Sequence, residues 1–182
     1  MSTLLVTVGS TLFPDLTDSF LSPSILALLE LHRIRRLIIQ YGRAELPLDH
    51  GLHIHLDGSG KGSVNVGGMR VELIGFTDDF EGLVRGSDWV VSHAGSGSIL
   101  TTLRLNPPKP LLVVPNESLM DNHQAELADE MGEKGNLMVS KVEDLEHTLP
   151  KFLSIDKHDI RPFPQMDQNR FKNVLDEMMG FD

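Results

Sequence analysis

The segment whose residue types are best suited to bind a ligand is His93-Ala94-Gly95-Ser96-Gly97-Ser98, which follows an apolar run at residues 89–92. Its two glycines lack a Cβ, so a ligand can approach the main chain there closely. Its two serines add hydroxyl groups at the predicted start of a helix, where unpaired N–H groups and the helix dipole favour an anion. The pattern is therefore typical of a diphosphate-binding turn. The alternative is a tight strand-to-helix turn in which Ser98 serves only as the helix N-cap.

Two other polar segments follow predicted strands. Gly9-Ser10-Thr11 comes directly after the apolar run 4–8, and Pro115-Asn116-Glu117 comes after the run 111–114. The next predicted helix begins with Asn122-His123-Gln124, whose side chains can exchange several hydrogen bonds with sugar hydroxyls. The alternative for that segment is a polar helix cap with an exposed histidine.

An open α/β sheet binds its ligands outside the carboxyl ends of its strands, and this chain has the alternation of strands and helices that such a sheet requires. Strands are predicted at residues 4–8, 37–41, 71–76, 89–92, 111–114 and 137–139. Helices are predicted at residues 23–32 with Ser22 as N-cap, 80–85 with Asp78-Asp79 at its start, 98–105, 122–131 and 142–153. We expect one α/β, Rossmann-like domain over residues 1–154, with a mostly parallel sheet and helices on both faces.

Two stretches fall outside this alternation. Residues 53–56 alternate like a half-buried strand, residues 57–63 predict a glycine- and serine-rich loop, and residues 64–66 could pair back as a hairpin. Residues 155–182 predict an extended linker and an amphipathic helical tail. The tail could pack on its own domain or on a partner.

The sequence lacks the common motifs of several other site classes. Leu100 stands where a dinucleotide fingerprint needs a third glycine, and Gly60-Lys61-Gly62 lacks the Ser or Thr of a P-loop. There is no Gly-x-Ser-x-Gly elbow and no Asp-x-Asp pair. His53 and His55 would share a strand face without a clear third ligand, so a solvated face is favoured over a metal site. We expect no metal and no cofactor.

Composition narrows the classes of partner. The 182 residues carry a net charge of −10, and residues 116–182 hold 7 basic against 15 acidic residues. Nucleic-acid binding needs a basic footprint, which is absent from this sequence.

There is no apolar run of about 18 residues, so no transmembrane segment is expected, and no secretory signal is predicted. The absence of cysteine fits a reducing compartment, and a cytoplasmic location is expected.

Four segments that occur in order resemble a known family. They are Thr7-Val8-Gly9-Ser10-Thr11, Gly75-Phe76-Thr77, Ser92-His93-Ala94-Gly95-Ser96-Gly97-Ser98 and Asp121-Asn122-His123-Gln124-Ala125-Glu126-Leu127-Ala128. The chain resembles the nucleotide-sugar-binding C-terminal half of family-28 glycosyltransferases. Over residues 3–153 it is similar to the small subunits of two-subunit N-acetylglucosaminyltransferases of the dolichol pathway. The resemblance is weakest over residues 43–70.

The resemblance implies a role for each matching segment, with UDP-N-acetylglucosamine as the donor substrate. Gly9, Ser10 and Thr11 would face the diphosphate and the cleft, and Phe76 and Thr77 would present main-chain groups to uracil. The diphosphate would be held by His93, Gly95, Ser96, Gly97 and Ser98. The sugar would meet Asn122, His123 and Gln124. Thr101 stands where bacterial relatives place a ribose-binding Glu, for which Glu117 is a candidate substitute.

The resemblance also implies that this chain is the donor half of a GT-B enzyme. The reaction would transfer N-acetylglucosamine to dolichyl-diphosphate-N-acetylglucosamine with inversion at the anomeric carbon. The base would belong to a membrane-anchored partner subunit, which recruits the chain to the cytosolic face of the endoplasmic reticulum. The competing functions are a non-catalytic nucleotide-sugar-binding or regulatory module and a stand-alone α/β enzyme such as a nucleotide hydrolase.

Overall fold

A computed structural model describes residues 2–44, 46, 51–116, 137–155 and 160 of this chain. Its strands are β1 (Thr3–Thr7), β2 (Arg36–Gln40), β3 (Lys61–Val66), β4 (Met69–Ile74), β5 (Trp89–His93), β6 (Leu111–Val114) and β7 (Met138–Val139). Its helices are α1 (Pro14–Leu21), α2 (Pro23–Leu31), α3 (Phe80–Arg85), α4 (Ser96–Leu103) and α5 (Leu145–Leu153).

The strands form one seven-stranded sheet in the order β3-β4-β2-β1-β5-β6-β7. All neighbouring pairs are parallel except β3 and β4, which form an antiparallel hairpin at one edge. The central strands are buried along their length, as expected for a sheet covered on both faces. The predicted α/β class is therefore confirmed.

The helices pack on the two faces of the sheet through two apolar clusters. On one face, α1, α2 and α5 pack through residues such as Phe20, Leu29 and Phe152, which are fully buried. On the other face, α3 and α4 pack through Val84 and Ile99. Helices on both faces are thus confirmed.

Helix α1 was not predicted from the sequence. It begins at Pro14 and has Asp15 in its first turn, which are both start signals, but its N-cap position, Phe13, offers no capping side chain. The helix buries Leu16, Phe20 and Leu21 against the sheet. The Ser22 cap of α2 is confirmed, because the Ser22 Oγ accepts a bond of 3.4 Å from the Ile25 N–H.

The strand predicted at residues 53–56 is wrong. Ile54 is buried between exposed His53 and His55, so the burial alternates as in a strand. However, the segment joins no ladder, and the Ile54 N–H donates instead to the nearby Leu52 carbonyl. The predicted loop also ends earlier than expected, because β3 already begins at Lys61.

The predictions for a helix at 122–131 and for the tail lie outside the described residues. The domain boundary at residue 154 stays a prediction.

Candidate functional site

The strand order creates a crevice beside β1. The chain continues from β1 to β2 and β4 on one side, and then returns to β5 on the other side. Loops that leave β1 and β5 therefore diverge at their carboxyl ends, which is where open α/β sheets bind ligands. The Gly9 turn leaves β1 here, and the Gly95 turn leaves β5.

An open cleft of about 340 Å³ lies at these strand ends. The structure brings together six of the predicted site residues along it, namely Gly9, Ser10, Phe76, Thr77, Gly97 and Ser98. Three further residues line it that the sequence analysis did not assign to the site, namely Gln40, Phe80 and Thr101. Residues from three predicted segments thus share one surface.

Helix α4 points its N-terminus at this cleft. Gly95 is the N-cap residue, with φ −83° and ψ 124°, and no side chain caps the helix. The first N–H that follows the helical pattern is that of Ile99, which donates to the Gly95 carbonyl at 3.1 Å. The main-chain N–H groups of the first turn have no intrahelical acceptor and favour a bound anion.

This helix start corrects one alternative reading of the sequence. Ser98 is not the N-cap, because it lies inside the helix, which begins at Ser96 rather than at Ser98. The Ser98 hydroxyl instead lies toward the turn after β1, with its Oγ 3.6 Å from the place a Cβ on Gly9 would occupy. The Gly9 turn and the first turn of α4 therefore lie next to each other at the cleft.

The ring of His93 is enclosed by two glycines. A Cβ on Gly95 would lie 2.2 Å from the His93 Nε2, and a Cβ on Gly9 would lie 2.9 Å from its Cε1. Gly9 also has a positive φ of 58°, which other residues rarely adopt. Both positions thus require glycine so that the ring can fit between the two turns.

His93 supports the turns and does not line the cleft. Its side chain is 6% exposed, and among the residues described no hydrogen-bonding partner reaches its Nδ1. Burial lowers the pKa of His93, and hydrogen bonding to the Thr7 main chain raises it by a smaller amount. A neutral imidazole is therefore favoured at neutral pH, and His93 supplies no full positive charge to the cleft.

The other predicted residues of these turns, Thr11, Gly95 and Ser96, are not among the residues that line the cleft. Thr11 closes the turn after β1, since its N–H donates to the Val8 carbonyl at 3.0 Å. Ser96 is exposed at the first position of α4. The predicted sites at Glu117, Asn122, His123 and Gln124 lie outside the described residues.

An aromatic ring borders the opposite side of the cleft. Phe76 is 52% exposed although it is a large apolar residue. The guanidinium carbon of Arg43 lies 5.9 Å from the centre of its ring, within the range of a cation–π contact. This loop is anchored by α3, whose N-cap Asp79 accepts a bond of 2.8 Å from the Gly82 N–H. Asp78-Asp79 was predicted to supply an N-cap and a first-turn charge; the cap is confirmed at Asp79, but the acidic residue of the first turn is Glu81.

A second cavity of about 320 Å³ lies near the ends of β6 and β7. It is lined by Phe13, Asp15, Pro115, Asn116, Lys141, Val142 and Glu143.

Over the described ranges, no three His, Asp or Glu side chains come close enough to hold a metal ion. Within the same ranges, none of the helices has the length and apolar character needed to cross a membrane.

Comparison with known proteins places the chain among glycosyltransferases. Residues 3–178 match the model of the glycosyltransferase family 28 C-terminal domain. The chain is 51% identical to the curated UDP-N-acetylglucosamine transferase subunit ALG13 of Cryptococcus neoformans, over 99% of this chain and 98% of that protein.

Two solved structures share the architecture. The solution structure of ALG13 matches with a TM-score of 0.67 and 31% identity, over 96% of this chain and 94% of that one. Acinetobacter baumannii MurG matches with a TM-score of 0.57 and 14% identity, over 98% of this chain and 50% of MurG. The second likeness concerns the fold alone, and it equates this chain with half of a larger molecule.

Proposed function

Because this chain belongs to the glycosyltransferase family 28 C-terminal domains, as a member of the ALG13 group of transferase subunits, we propose that it is the donor-binding subunit of an inverting N-acetylglucosaminyltransferase. The donor is UDP-N-acetylglucosamine, and the acceptor is dolichyl-diphosphate-N-acetylglucosamine. The observation that carries this proposal is the full-length similarity to a curated UDP-N-acetylglucosamine transferase subunit. The open cleft at the switch point of the sheet supports it.

In this proposal the cleft residues bind the diphosphate and the uracil of the donor. The N–H groups at the start of α4 lie where a diphosphate can accept hydrogen bonds from them. Phe76 and Thr77 line the other side of the cleft, and in this proposal their main-chain groups bind uracil. Thr101 offers a hydroxyl one turn further along α4. Main-chain donors take the place of a cluster of cationic side chains in this arrangement.

The chemistry is a displacement at the anomeric carbon. The acceptor hydroxyl attacks that carbon, the bond from the carbon to the β-phosphate oxygen breaks, and a base takes the hydroxyl proton. Negative charge then grows on the departing UDP. The oriented N–H groups and the dipole of α4 stabilise that charge in the transition state, so the step requires no metal.

The base and the acceptor site belong to a membrane-anchored partner in this proposal. The curated relatives are named subunits, and the chain corresponds to only half of MurG. The partner recruits the chain to the cytosolic face of the endoplasmic reticulum. It completes a β-1,4-N-acetylglucosaminyltransferase that is inactive without it.

Reconstitution with the candidate membrane partner tests this function. The pair should transfer labelled N-acetylglucosamine to dolichyl-diphosphate-N-acetylglucosamine, whereas neither protein should do so alone. Gly97→Val should lower the rate at least about tenfold, because it adds bulk to the cleft wall. Gly58→Val is the matched control, since a Cβ at either glycine meets no atom within 4 Å and Gly58 lies outside the cleft.

Two results would contradict the proposal. Transfer by the isolated chain would remove the dependence on a partner. A pair that binds UDP-N-acetylglucosamine in the cleft but never transfers the sugar would favour the non-catalytic binding module.

A further inference from the structure

Gln40 is a buried polar residue at the centre of the strand ends. It is the last residue of β2, between β1 and β4, and is only 3% exposed. The rest of β2 is mainly apolar, yet the Gln40 side chain lines the cleft. A buried amide needs partners for all its polar atoms, and those partners identify its task.

The Gln40 amide bonds the turns on both sides of it. Its Oε1 accepts from the Thr7 hydroxyl at 2.5 Å and from the Gly9 N–H at 2.9 Å. Its Nε2 donates to the Gly9 carbonyl and to the Gly75 carbonyl, each at 2.8 Å. The orientation of the amide follows from these partners, because an N–H can only donate and a carbonyl can only accept.

These four bonds use the full capacity of the amide. Both protons on Nε2 and both lone pairs on Oε1 are engaged within the protein. Gln40 therefore has no hydrogen-bonding group left for a ligand, although it borders the cleft. Its position is suited to holding other groups in place.

We propose that Gln40 is a positioning residue that sets the spacing between the Gly9 turn and the Gly75-Phe76 turn. This inference rests on the proposed function, in which the first turn faces the diphosphate and the second faces uracil. A ligand that spans both turns gains affinity only when their separation matches its length. Gln40 thus tunes the cleft for a nucleoside diphosphate as a whole rather than for either of its parts.

The test compares UDP with uridine, followed through backbone amide signals of the full-length chain. Gln40→Met removes all four bonds at nearly constant size. Gln40→Glu keeps an acceptor toward Gly9 but turns an oxygen toward the carbonyls of Gly9 and Gly75. We expect each variant to bind UDP about tenfold more weakly and uridine less than about threefold more weakly.

Ser140→Ala is the matched control. It also deletes a buried polar side chain, whose Oγ bonds the Thr148 hydroxyl at 3.0 Å, but it lies outside the cleft lining. We expect its affinity for UDP to equal that of the wild type. Unfolding in urea would establish how far each variant loses stability.

The outcomes separate this inference from the proposed function. Wild-type chain that does not bind UDP in the cleft overturns both. Wild-type binding with unchanged affinity in the Gln40 variants overturns the positioning role alone. Equal losses for UDP and uridine, or an equal loss in Ser140→Ala, show a general structural effect and also overturn it.

Discussion

Gly95 and Gly97 stand two residues apart at the start of α4, but their surroundings differ. A Cβ on Gly95 would collide with the ring of His93, whereas a Cβ on Gly97 would stand in open space beside the cleft. Gly95 thus serves the fold, while Gly97 keeps the cleft wall clear. The pattern Gly-x-Gly alone does not distinguish these two roles.

Alanine at each position should therefore have opposite effects on stability. Gly95→Ala should lower the free energy of unfolding by about 1–3 kcal/mol, because the buried ring must shift. Gly97→Ala should raise it by about 0.5–1 kcal/mol, since alanine is the better helix former. Urea unfolding of both variants checks this. Equal stability of the two variants would refute the assigned packing of His93.

His93 should make stability dependent on pH. Burial lowers its pKa in the folded chain, so between the folded and unfolded pKa values the unfolded chain binds more protons. Stability should therefore decrease as the pH falls below the ordinary pKa of histidine, and the loss should be complete below the folded pKa.

The variant His93→Gln removes this contribution. Between about pH 7.5 and pH 5.5, it should lose less stability than the wild type in urea unfolding. If both chains lose the same stability over this range, His93 does not titrate as its burial requires.

At the scale of elements, a short helix holds the aromatic side of the cleft. Helix α3 has six residues and follows the Phe76-Thr77 turn closely. Asp79 caps it through the Gly82 N–H, and the Asp79 N–H donates in turn to the Thr77 hydroxyl at 3.1 Å. The cap therefore connects the helix to a residue that lines the cleft.

Removal of this cap should destabilise the chain selectively. Asp79→Ala should lower the free energy of unfolding by about 1 kcal/mol, the usual cost of a lost N-cap. Asp78→Ala removes the same charge one residue earlier, where no capping bond is made, and should cost less than about 0.5 kcal/mol. Equal losses would mean that charge near the helix start, rather than the capping bond, is what matters.

The sequence predicts these elements best where the signal is local. The glycine turn after β5, the Ser22 cap and the Asp79 cap follow from neighbouring residues, and the structure has them. The strand predicted at 53–56 failed because alternating burial does not require a ladder partner. Helix α1 was missed although Pro14 and Asp15 mark its start, because Phe13 provides no capping side chain.

Gln40 was missed for a different reason. A polar residue at the end of an apolar strand is visible in the sequence, and it signals a buried polar contact. Its partners at Gly9 and Gly75 are 31 and 35 residues away and meet it only through strand order. That order depends on tertiary packing, so the sequence pattern did not reveal a positioning role.

At the scale of the whole molecule, the charge distribution bears on how an anion is bound. The chain has a net charge of −10, so its overall electrostatic field repels a nucleoside diphosphate. In the proposed function local groups offset that repulsion, and the uncapped start of α4 is the best placed of those described. Arg43 lies beside Phe76, and its guanidinium is the nearby cation that could bind the diphosphate instead.

A crystal structure of the chain with UDP-N-acetylglucosamine would show which groups hold the diphosphate of the donor. We predict diphosphate oxygens within about 3.2 Å of main-chain nitrogens in the first turn of α4, with uracil at the Phe76-Thr77 turn. A diphosphate held mainly by Arg43 or another cationic side chain, or a donor bound in the second cavity near Lys141, would show that the start of α4 is not the diphosphate site.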